Sequence, residues 1–184
     1  MDTGLLTKKR KRFYNYIILR SGPLYKLLEY FYTIDLETTG FDLGIEHLLY
    51  FIKSIVYIGK GCGYRCISHC KDAIKLLRGE WNGKISVKLK TIATNLKNNE
   101  GLLVVKVFGD SDNYMALNRE HSMICACFGQ ITNVRHGSPY GEMRSWSKYE
   151  VLNFGHILLY VVLKQCLIEM PNEINTNHLA SMNK

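Results

Sequence analysis

The stretch that decides the fold is Val56-Tyr57-Ile58-Gly59-Lys60-Gly61-Cys62-Gly63-Tyr64-Arg65, with His69 four residues further on. The apolar run over 54–58 predicts a short buried strand, and the glycines predict a tight turn into a helix. Arg65 and His69 would share one face of that helix. A strand tyrosine, a glycine turn and this cation–histidine pair could together bind a phosphate. An ordinary strand-to-helix turn explains the glycines by themselves at least as well.

The composition predicts one folded domain with a basic surface. At 184 residues, 47% of them hydrophobic, the chain is long enough to bury a full core and unlike a disordered protein. Its net charge of +8 and pI of about 9.2 favour a polyanionic partner, nucleic acid before acidic membrane. A basic surface that has no polyanionic partner is the alternative.

The first residues are polar and basic. Lys8-Lys9-Arg10-Lys11-Arg12 occupies the place where a secretory signal would need an apolar segment. We therefore expect a disordered arm over 1–12, which would serve as a nuclear import signal or contact phosphates. This interpretation predicts an intracellular, nuclear protein.

The chain has six cysteines, which we expect to be free thiols in a reducing compartment. Three of them, Cys62, Cys66 and Cys70, fall on one helical stripe. A zinc site is therefore an alternative for these residues, although no Cys-x-x-Cys pair is present.

Hydrophobic patterns predict an α+β fold in which a small three-stranded sheet is flanked by helices. Strands are predicted over 13–19, 54–58 and 102–108. Helices are predicted over 24–31, 45–53, 65–77, 85–96, from 111 or 112 to about 128, and from 147 to 170. The first two helices form an insert between the first two strands, and the last is an extra C-terminal helix. The expected domain covers 13–171 and is followed by a polar tail over 172–184.

The last predicted helix contains the longest apolar run, over 157–163. A helix that crosses a bilayer needs about 20 apolar residues. Lys164, Gln165 and Glu169 interrupt this run, so we expect a core or interface helix, no transmembrane segment and no membrane partner.

The order of the polar residues resembles that of the GIY-YIG nuclease superfamily. The residues that carry the resemblance are Tyr16, Tyr57-Ile58-Gly59-Lys60-Gly61, Arg65, His69, Asn118-Arg119-Glu120 and Thr132-Asn133. The chain is similar to the metazoan branch that includes nucleases with LEM domains and ankyrin repeats, over about Arg12 to Tyr160. The first motif departs from that pattern, since it reads Tyr14-Asn15-Tyr16 in place of Gly-Ile-Tyr. No LEM or ankyrin segment is visible, so the resemblance implies the nuclease module alone.

The resemblance implies metal-assisted hydrolysis of a DNA phosphodiester bond, on branched or structured DNA. Glu120 would hold one divalent ion, Mg²⁺ or Mn²⁺, because hard cations prefer oxygen ligands. Tyr16 or Tyr57, assisted by Lys60, would orient and deprotonate the attacking water. A free tyrosine has a pKa near 10, so a nearby cation must favour its ionised form.

Three further residues take roles from the same resemblance. Arg65 would bind the scissile phosphate through charge-assisted hydrogen bonds. His69 would orient a tyrosine or relay a proton, and Asn133 would brace the site. Each residue alone has an ordinary structural explanation, and the hypothesis depends on their joint occurrence in this order.

A rival motif lies within the predicted insert. Residues 31–40 resemble the first motif of the DEDD 3′–5′ exonucleases, in which Asp35 and Glu37 would share one face of a strand and hold two metal ions. That family also needs a later histidine with an aspartate five residues after it. No histidine of this chain has one, so we expect the motif not to be catalytic.

A third hypothesis is a non-catalytic basic domain that binds DNA through its phosphates. The sequence leaves the oligomeric state open.

Overall fold

The structure, a computed structural model, describes residues 11–33, 43–127, 129–171 and 173–174. Asp35 and Glu37 of the rival motif lie outside the described residues, as do residues 1–10 of the predicted arm and 175–184 of the predicted tail. The strands are β1 (Phe13–Arg20), β2 (Ile55–Gly61), β3 (Leu102–Ser111) and β4 (Glu173–Ile174). The α-helices are α1 (Ser21–Thr33), α2 (Ile45–Ser54), α3 (Arg65–Leu77), α4 (Val87–Lys97), α5 (Asn113–Ala126) and α6 (Lys148–Ile168), with a 3₁₀ helix at Gly141–Ser145.

The fold is α+β, and its sheet has the strand order β2-β1-β3-β4 with every neighbouring pair antiparallel. The prediction of three strands was wrong in number, because Glu173 and Ile174 pair with Leu103 and Leu102 as a two-residue fourth strand. Two residues are too few to show an alternating pattern. The Tyr25 hydroxyl donates a hydrogen bond to Glu173 Oε2 at 2.9 Å and holds this short strand in place.

The first helix, α1, begins earlier than the predicted helix over 24–31. Ser21-Gly22-Pro23, expected to separate a strand from a helix, forms the first turn of α1 instead. A proline fits there because the amide groups of the first turn have no partner within the helix.

The glycines after Tyr57 continue β2 and do not break it. Gly59 pairs with Tyr16 and Gly61 pairs with Tyr14, so the strand runs on past the predicted turn. A Cβ atom at Gly59 would lie 2.5 Å from Cζ of Tyr16, which shows that the glycine makes room for the tyrosine ring. The left-handed conformation that glycine favours occurs later, at Gly63 with φ 58°.

The sheet separates two hydrophobic cores, and β1 contributes to both because its side chains alternate between the faces. Ile17 and Leu19 pack with α1, α2, α5 and α6 in the larger core. Tyr16 and Ile18 pack with α3 and α4 in the smaller core. This alternation places Tyr16 among apolar side chains on the α3 and α4 side of the sheet.

The last helix, α6, begins at a capping box, in which Ser147 accepts a hydrogen bond from the Glu150 amide. Its Gly155 lies against α5, because a Cβ atom there would be 2.1 Å from the Ser122 carbonyl oxygen. By length and composition α6 is the one helix of the described residues that could cross a membrane, a test that core helices of soluble proteins also pass. Buried residues such as Leu159, Val162 and Leu163 place one side of α6 in the larger core.

Candidate active site

The outer edge of β2 carries one half of the site. This strand lies at the end of the sheet, so alternate main-chain groups have no neighbouring strand to bond. Asn133 takes the place of a strand, because its Oδ1 accepts from the Ile58 amide at 3.0 Å and its Nδ2 donates to the Ile58 carbonyl at 2.8 Å. Glu120 on α5 accepts from the Lys60 amide through Oε1 at 2.9 Å. The unpaired strand edge thereby fixes an amide and a carboxylate in space.

The Glu120 carboxylate is mostly buried, and one of its two oxygens is available to coordinate a ligand. Burial raises its pKa, while the hydrogen bond from Lys60 and the charges of Lys60 and Arg65 oppose the rise. Its second oxygen, Oε2, accepts no hydrogen bond from the described part of the chain. The Lys60 ammonium bonds Asn113 Oδ1 and lies 4.5 Å from the Phe13 ring centroid, so it faces away from the tyrosines that it was expected to assist.

The smaller core carries the other half of the site, a cluster of Tyr16 from β1, Tyr57 from β2 and His69 from α3. The Tyr16 ring centroid lies 6.0 Å from that of Tyr57 and 6.1 Å from that of His69. The centroids of Tyr57 and His69 are 5.2 Å apart. The Tyr16 hydroxyl lies 2.9 Å from Nε2 of His69. The two predicted tyrosines and the predicted histidine therefore meet in one place.

Lys88 on α4 completes this cluster, although it was not among the predicted site residues. Its Nζ lies 3.1 Å from Nε2 of His69 and 4.3 Å from the centroid of the Tyr57 ring. The available signal was its position four residues before the buried Ile92, which places both on one side of α4. A basic amphipathic helix offers several such lysines, so the pattern alone could not single this one out.

The contacts of His69 define its protonation state. Burial, followed by the nearby charges of Lys88 and Arg65, lowers the pKa of His69 to about 4, so the ring is neutral at neutral pH. An ammonium group has only donors, so Nε2 must accept from Lys88 and the ring proton lies on Nδ1. Nε2 has one lone pair, so Lys88 and the Tyr16 hydroxyl share it in a three-centre hydrogen bond.

Both tyrosines are protonated at neutral pH. Burial raises the pKa of Tyr16, and the neighbouring Tyr57 raises it further. Burial also raises the pKa of Tyr57, followed by the negative charge of Glu120. Arg65 acts in the opposite direction on both phenols, because a positive charge favours a phenolate.

Arg65 is the first residue of α3, and its side chain is exposed. It lies close enough to shift the pKa of five titratable groups at the site. These groups are Tyr16, Tyr57, His69, Lys88 and Glu120. The guanidinium is therefore an exposed cation beside the site, as is that of Arg135 on the cavity wall.

An open cavity of about 300 Å³ joins the two halves of the site. The residues that line it include Tyr57, Lys88, Glu120, Thr132, Asn133 and Arg135. Tyr16, with only 1% of its surface exposed, lies behind Tyr57 in the smaller core. A ligand in the cavity would thus meet Tyr57, with Tyr16 and His69 behind it.

The cysteines take no part in this arrangement. All six are free, as expected, and Cys66 and Cys70 are buried. Among the described residues no three histidine, cysteine or acidic side chains form a group that could hold a metal ion, so the alternative of a zinc cluster is not supported there.

Two tyrosines on adjacent antiparallel strands, followed by an arginine and a histidine on the next helix and a glutamate on a later one, define the class of GIY-YIG nucleases. The family model described as LEM-3-like GIY-YIG domain matches residues 13–181, and the chain belongs to that family. The resemblance predicted from the sequence is confirmed, and the match continues past Tyr160. Family membership makes the chain a nuclease module with DNA as its substrate. No curated protein and no solved structure matches the chain.

Proposed function

We propose that this domain is a metal-dependent endonuclease that uses water to hydrolyse a phosphodiester bond in DNA, on branched or structured substrates. The observation that carries the proposal is the convergence of Tyr57, Lys88, Glu120 and Asn133 on one open cavity, with Arg65 close by. The net charge of +8 supports a polyanionic substrate.

Glu120 fits the binding of a divalent cation. Its carboxylate is mostly removed from water, and one oxygen is fixed by the Lys60 amide while the other is available. Mg²⁺ is commonly held by only one or two carboxylates together with water and substrate phosphate, so a single glutamate is sufficient. When bound, such an ion stabilises negative charge on the phosphate and on the leaving oxygen.

Arg65 is proposed to bind the scissile phosphate. A guanidinium can donate two parallel hydrogen bonds to phosphate oxygens, and the exposed start of α3 leaves it accessible. The amide groups of the first turn of α3 add positive potential at the same place.

The phenol–imidazole cluster is proposed to remove the proton from water. Water in the cavity would give a proton to Tyr57. Tyr57 would pass its own proton to the neighbouring Tyr16, and Tyr16 would pass its own to Nε2 of His69. The hydroxide so formed attacks phosphorus, the bond to the leaving oxygen breaks, and that oxygen takes a proton from solvent. In this scheme neither phenolate accumulates, which agrees with the raised pKa of both tyrosines.

Substrate binding would make His69 a better proton acceptor. In the free protein the charges of Lys88 and Arg65 help to lower its pKa. In the transition state the phosphate bound to Arg65 carries additional negative charge, which offsets these positive charges. A nearby negative charge favours the imidazolium form of His69. The histidine therefore gains basicity only when the substrate is in place.

The test is Mg²⁺-dependent nicking of DNA by wild type and by Glu120→Gln. We expect the substitution to lower the rate about 10³-fold or more, since a bound cation contributes several kcal/mol, while DNA binding is retained. Glu29→Gln, at an exposed position of α1, is the matched control and should cut at the wild-type rate. Full activity in Glu120→Gln would remove the proposed role, and binding without any cutting by wild type would favour the non-catalytic hypothesis.

A further inference from the structure

A second open cavity, which we call the side cleft, lies between the start of β1, the end of β3 and the start of α5. Its volume is about 810 Å³, within the range of about 300–1,000 Å³ that is usual for ligand pockets. The residues that define it here are Lys11, Arg12, Phe13, Phe108, Tyr114 and Arg119. None of them belongs to the active site described above.

A bulge in β3 shapes the side cleft. Phe13 pairs with Ser111 and Asn15 pairs with Val107, so residues 108–110 of β3 stand opposite the single residue between Phe13 and Asn15. Within this bulge Phe108 has φ 52° and Asp110 has φ 57°. The left-handed conformation costs about 1–2 kcal/mol for a residue with a Cβ atom. Bulges and such strained residues are concentrated next to functional sites.

The bulge turns an aromatic ring towards a cation. The Phe108 ring centroid lies 5.1 Å from Cζ of Arg119, and Nη1 of Arg119 donates to Ser111 Oγ at 2.7 Å. The Phe13 ring has two ammonium groups beside it, Lys60 Nζ at 4.5 Å and Lys11 Nζ at 5.9 Å. Aromatic rings interleaved with basic side chains are the surface on which single-stranded nucleic acids bind, with bases on the rings and phosphates at the cations.

The carboxylates of the side cleft are already engaged. Asp110 forms an ion pair with Arg12, with Nε and Oδ1 3.2 Å apart. Asp112 caps α5, where its Oδ1 accepts from the Met115 amide at 2.8 Å. Lys11 and Arg119 form no ion pair with the described residues, so they can meet a phosphate.

One residue connects the side cleft to the active site. The Lys60 amide holds Glu120, while the Lys60 ammonium lies at Phe13 and bonds Asn113, which lines the cleft. Arg119 and Glu120 are also consecutive on α5. A strand with its phosphate at Glu120 would therefore have its next nucleotides near the side cleft.

We propose that the side cleft binds an unpaired nucleotide of the DNA strand that is cut, with its base on Phe13 and its phosphate at Arg119 and Lys11. A base-paired nucleotide stays stacked within the duplex and does not present its face to the cleft. This inference rests on the proposed function for its choice of ligand, and it gives that function a physical reason for preferring branched DNA.

The experiment measures binding in EDTA, so that no cleavage occurs. One probe is a blunt duplex, and the other is the same duplex with a single-stranded extension that contains 2-aminopurine. We expect wild type to bind the extended probe about tenfold more tightly than the blunt duplex, since stacking of one base contributes about 1–3 kcal/mol. Binding should also change the fluorescence of the 2-aminopurine. Phe13→Leu should reduce this preference to within about twofold while binding to the blunt duplex is unchanged.

Three variants complete the test. Phe13→Tyr keeps the ring and should retain the preference, which separates the loss of stacking from a folding defect. Arg119→Gln should weaken binding of the extended probe and lower its salt slope by about one. Tyr149→Leu removes an exposed aromatic side chain from α6, away from the cleft, and should change nothing.

Equal affinity of wild type for the two probes would overturn the proposal, as would an unchanged preference in Phe13→Leu. An equal loss in Tyr149→Leu would overturn it too, because the effect would then be non-specific. Mg²⁺-dependent cutting is measured separately, so a domain that cuts DNA without this preference refutes the side cleft alone. A domain that shows the preference without cutting refutes only the proposed function.

Discussion

The two halves of the active site depend on different parts of β2, its outer edge and one of its faces. Along its outer edge, β2 bonds Asn133 and Glu120 through main-chain groups that no neighbouring strand reaches. On its face, the Tyr57 side chain joins His69 and Lys88, where contacts run between titratable side chains. Contacts along the edge therefore fix the positions of Asn133 and Glu120, whereas contacts on the face determine the protonation states of Tyr57 and His69. This difference predicts that loss of the Asn133 contacts will be detected as lost stability, and loss of His69 as a lower rate of cutting.

After the loss expected for Glu120→Gln, the largest effect is expected on the face, for His69→Gln. Glutamine can still accept a hydrogen bond from Tyr16 but cannot take up a proton, so the relay would lose its final acceptor. We expect kcat to fall about 10²- to 10⁴-fold, the usual contribution of a general base. Single-turnover cutting of DNA in saturating Mg²⁺ measures the change.

His156→Gln on α6 is the control for this substitution, and it should cut at the wild-type rate. The free energy of unfolding of His69→Gln at neutral pH should stay close to that of wild type, because the packing around the site is kept. Wild-type kcat in His69→Gln would exclude the histidine as the proton acceptor.

A smaller effect, on stability and not on the rate of cutting, is expected for Asn133 on the edge. Asn133→Ala leaves the amide and the carbonyl of Ile58 without their partners. An unsatisfied main-chain group costs about 1–3 kcal/mol, so the free energy of unfolding should fall by about that amount for each group that water does not reach. Urea denaturation measures the loss. Asn153→Ala, at an exposed position of α6, should change stability by only a few tenths of a kcal/mol. A fully stable Asn133→Ala would show that Thr132, whose amide donates to the Val56 carbonyl at 2.9 Å, holds this edge without help.

The sequence was a good guide to positions that follow from local periodicity and a poor guide to contacts between distant elements. Tyr16 and Tyr57 could be placed because apolar and β-branched runs mark their strands. Arg65 and His69 could be placed because four-residue spacing puts side chains on one helical face. Each of these inferences needs only local periodicity, and the structure brings all four residues together.

Contacts between distant elements could not be read in this way. Lys88 was missed because its partner His69 is on another helix, and no spacing relates the two. The Lys60 ammonium was expected near the tyrosines, but a residue of β2 alternates sides with its neighbours, and the side chain meets Asn113 instead. The role of Gly59 was predicted as a turn because glycine is permissive, whereas its neighbour across the sheet, Tyr16, is the reason for it.

The smallest effect concerns the influence of Lys88 on its neighbour in the face cluster. Burial comes first among the causes that lower the pKa of His69 to about 4, and the charge of Lys88 comes second. Lys88→Met removes that charge and keeps the apolar stem, so the pKa of His69 should rise while burial still holds it below its ordinary value of about 6.5. An NMR titration of the His69 ring protons measures this shift. Lys90→Met, on the exposed side of the same helix, is the matched control.

The same substitution should change how stability depends on pH. The pKa of His69 is lower in the folded protein, so the unfolded chain binds more protons between about 4 and 6.5. The contribution of neutral His69 is therefore complete above about pH 6.5 and is lost as the pH falls towards about 4. In Lys88→Met the pKa of His69 in the folded protein is higher, so the interval between its folded and unfolded pKa values is narrower. Acid should therefore destabilise the variant less than wild type. If both proteins lost the same free energy of unfolding between neutral pH and pH 4, Lys88 would have no electrostatic hold on the histidine, and the contact at 3.1 Å would be one of packing alone.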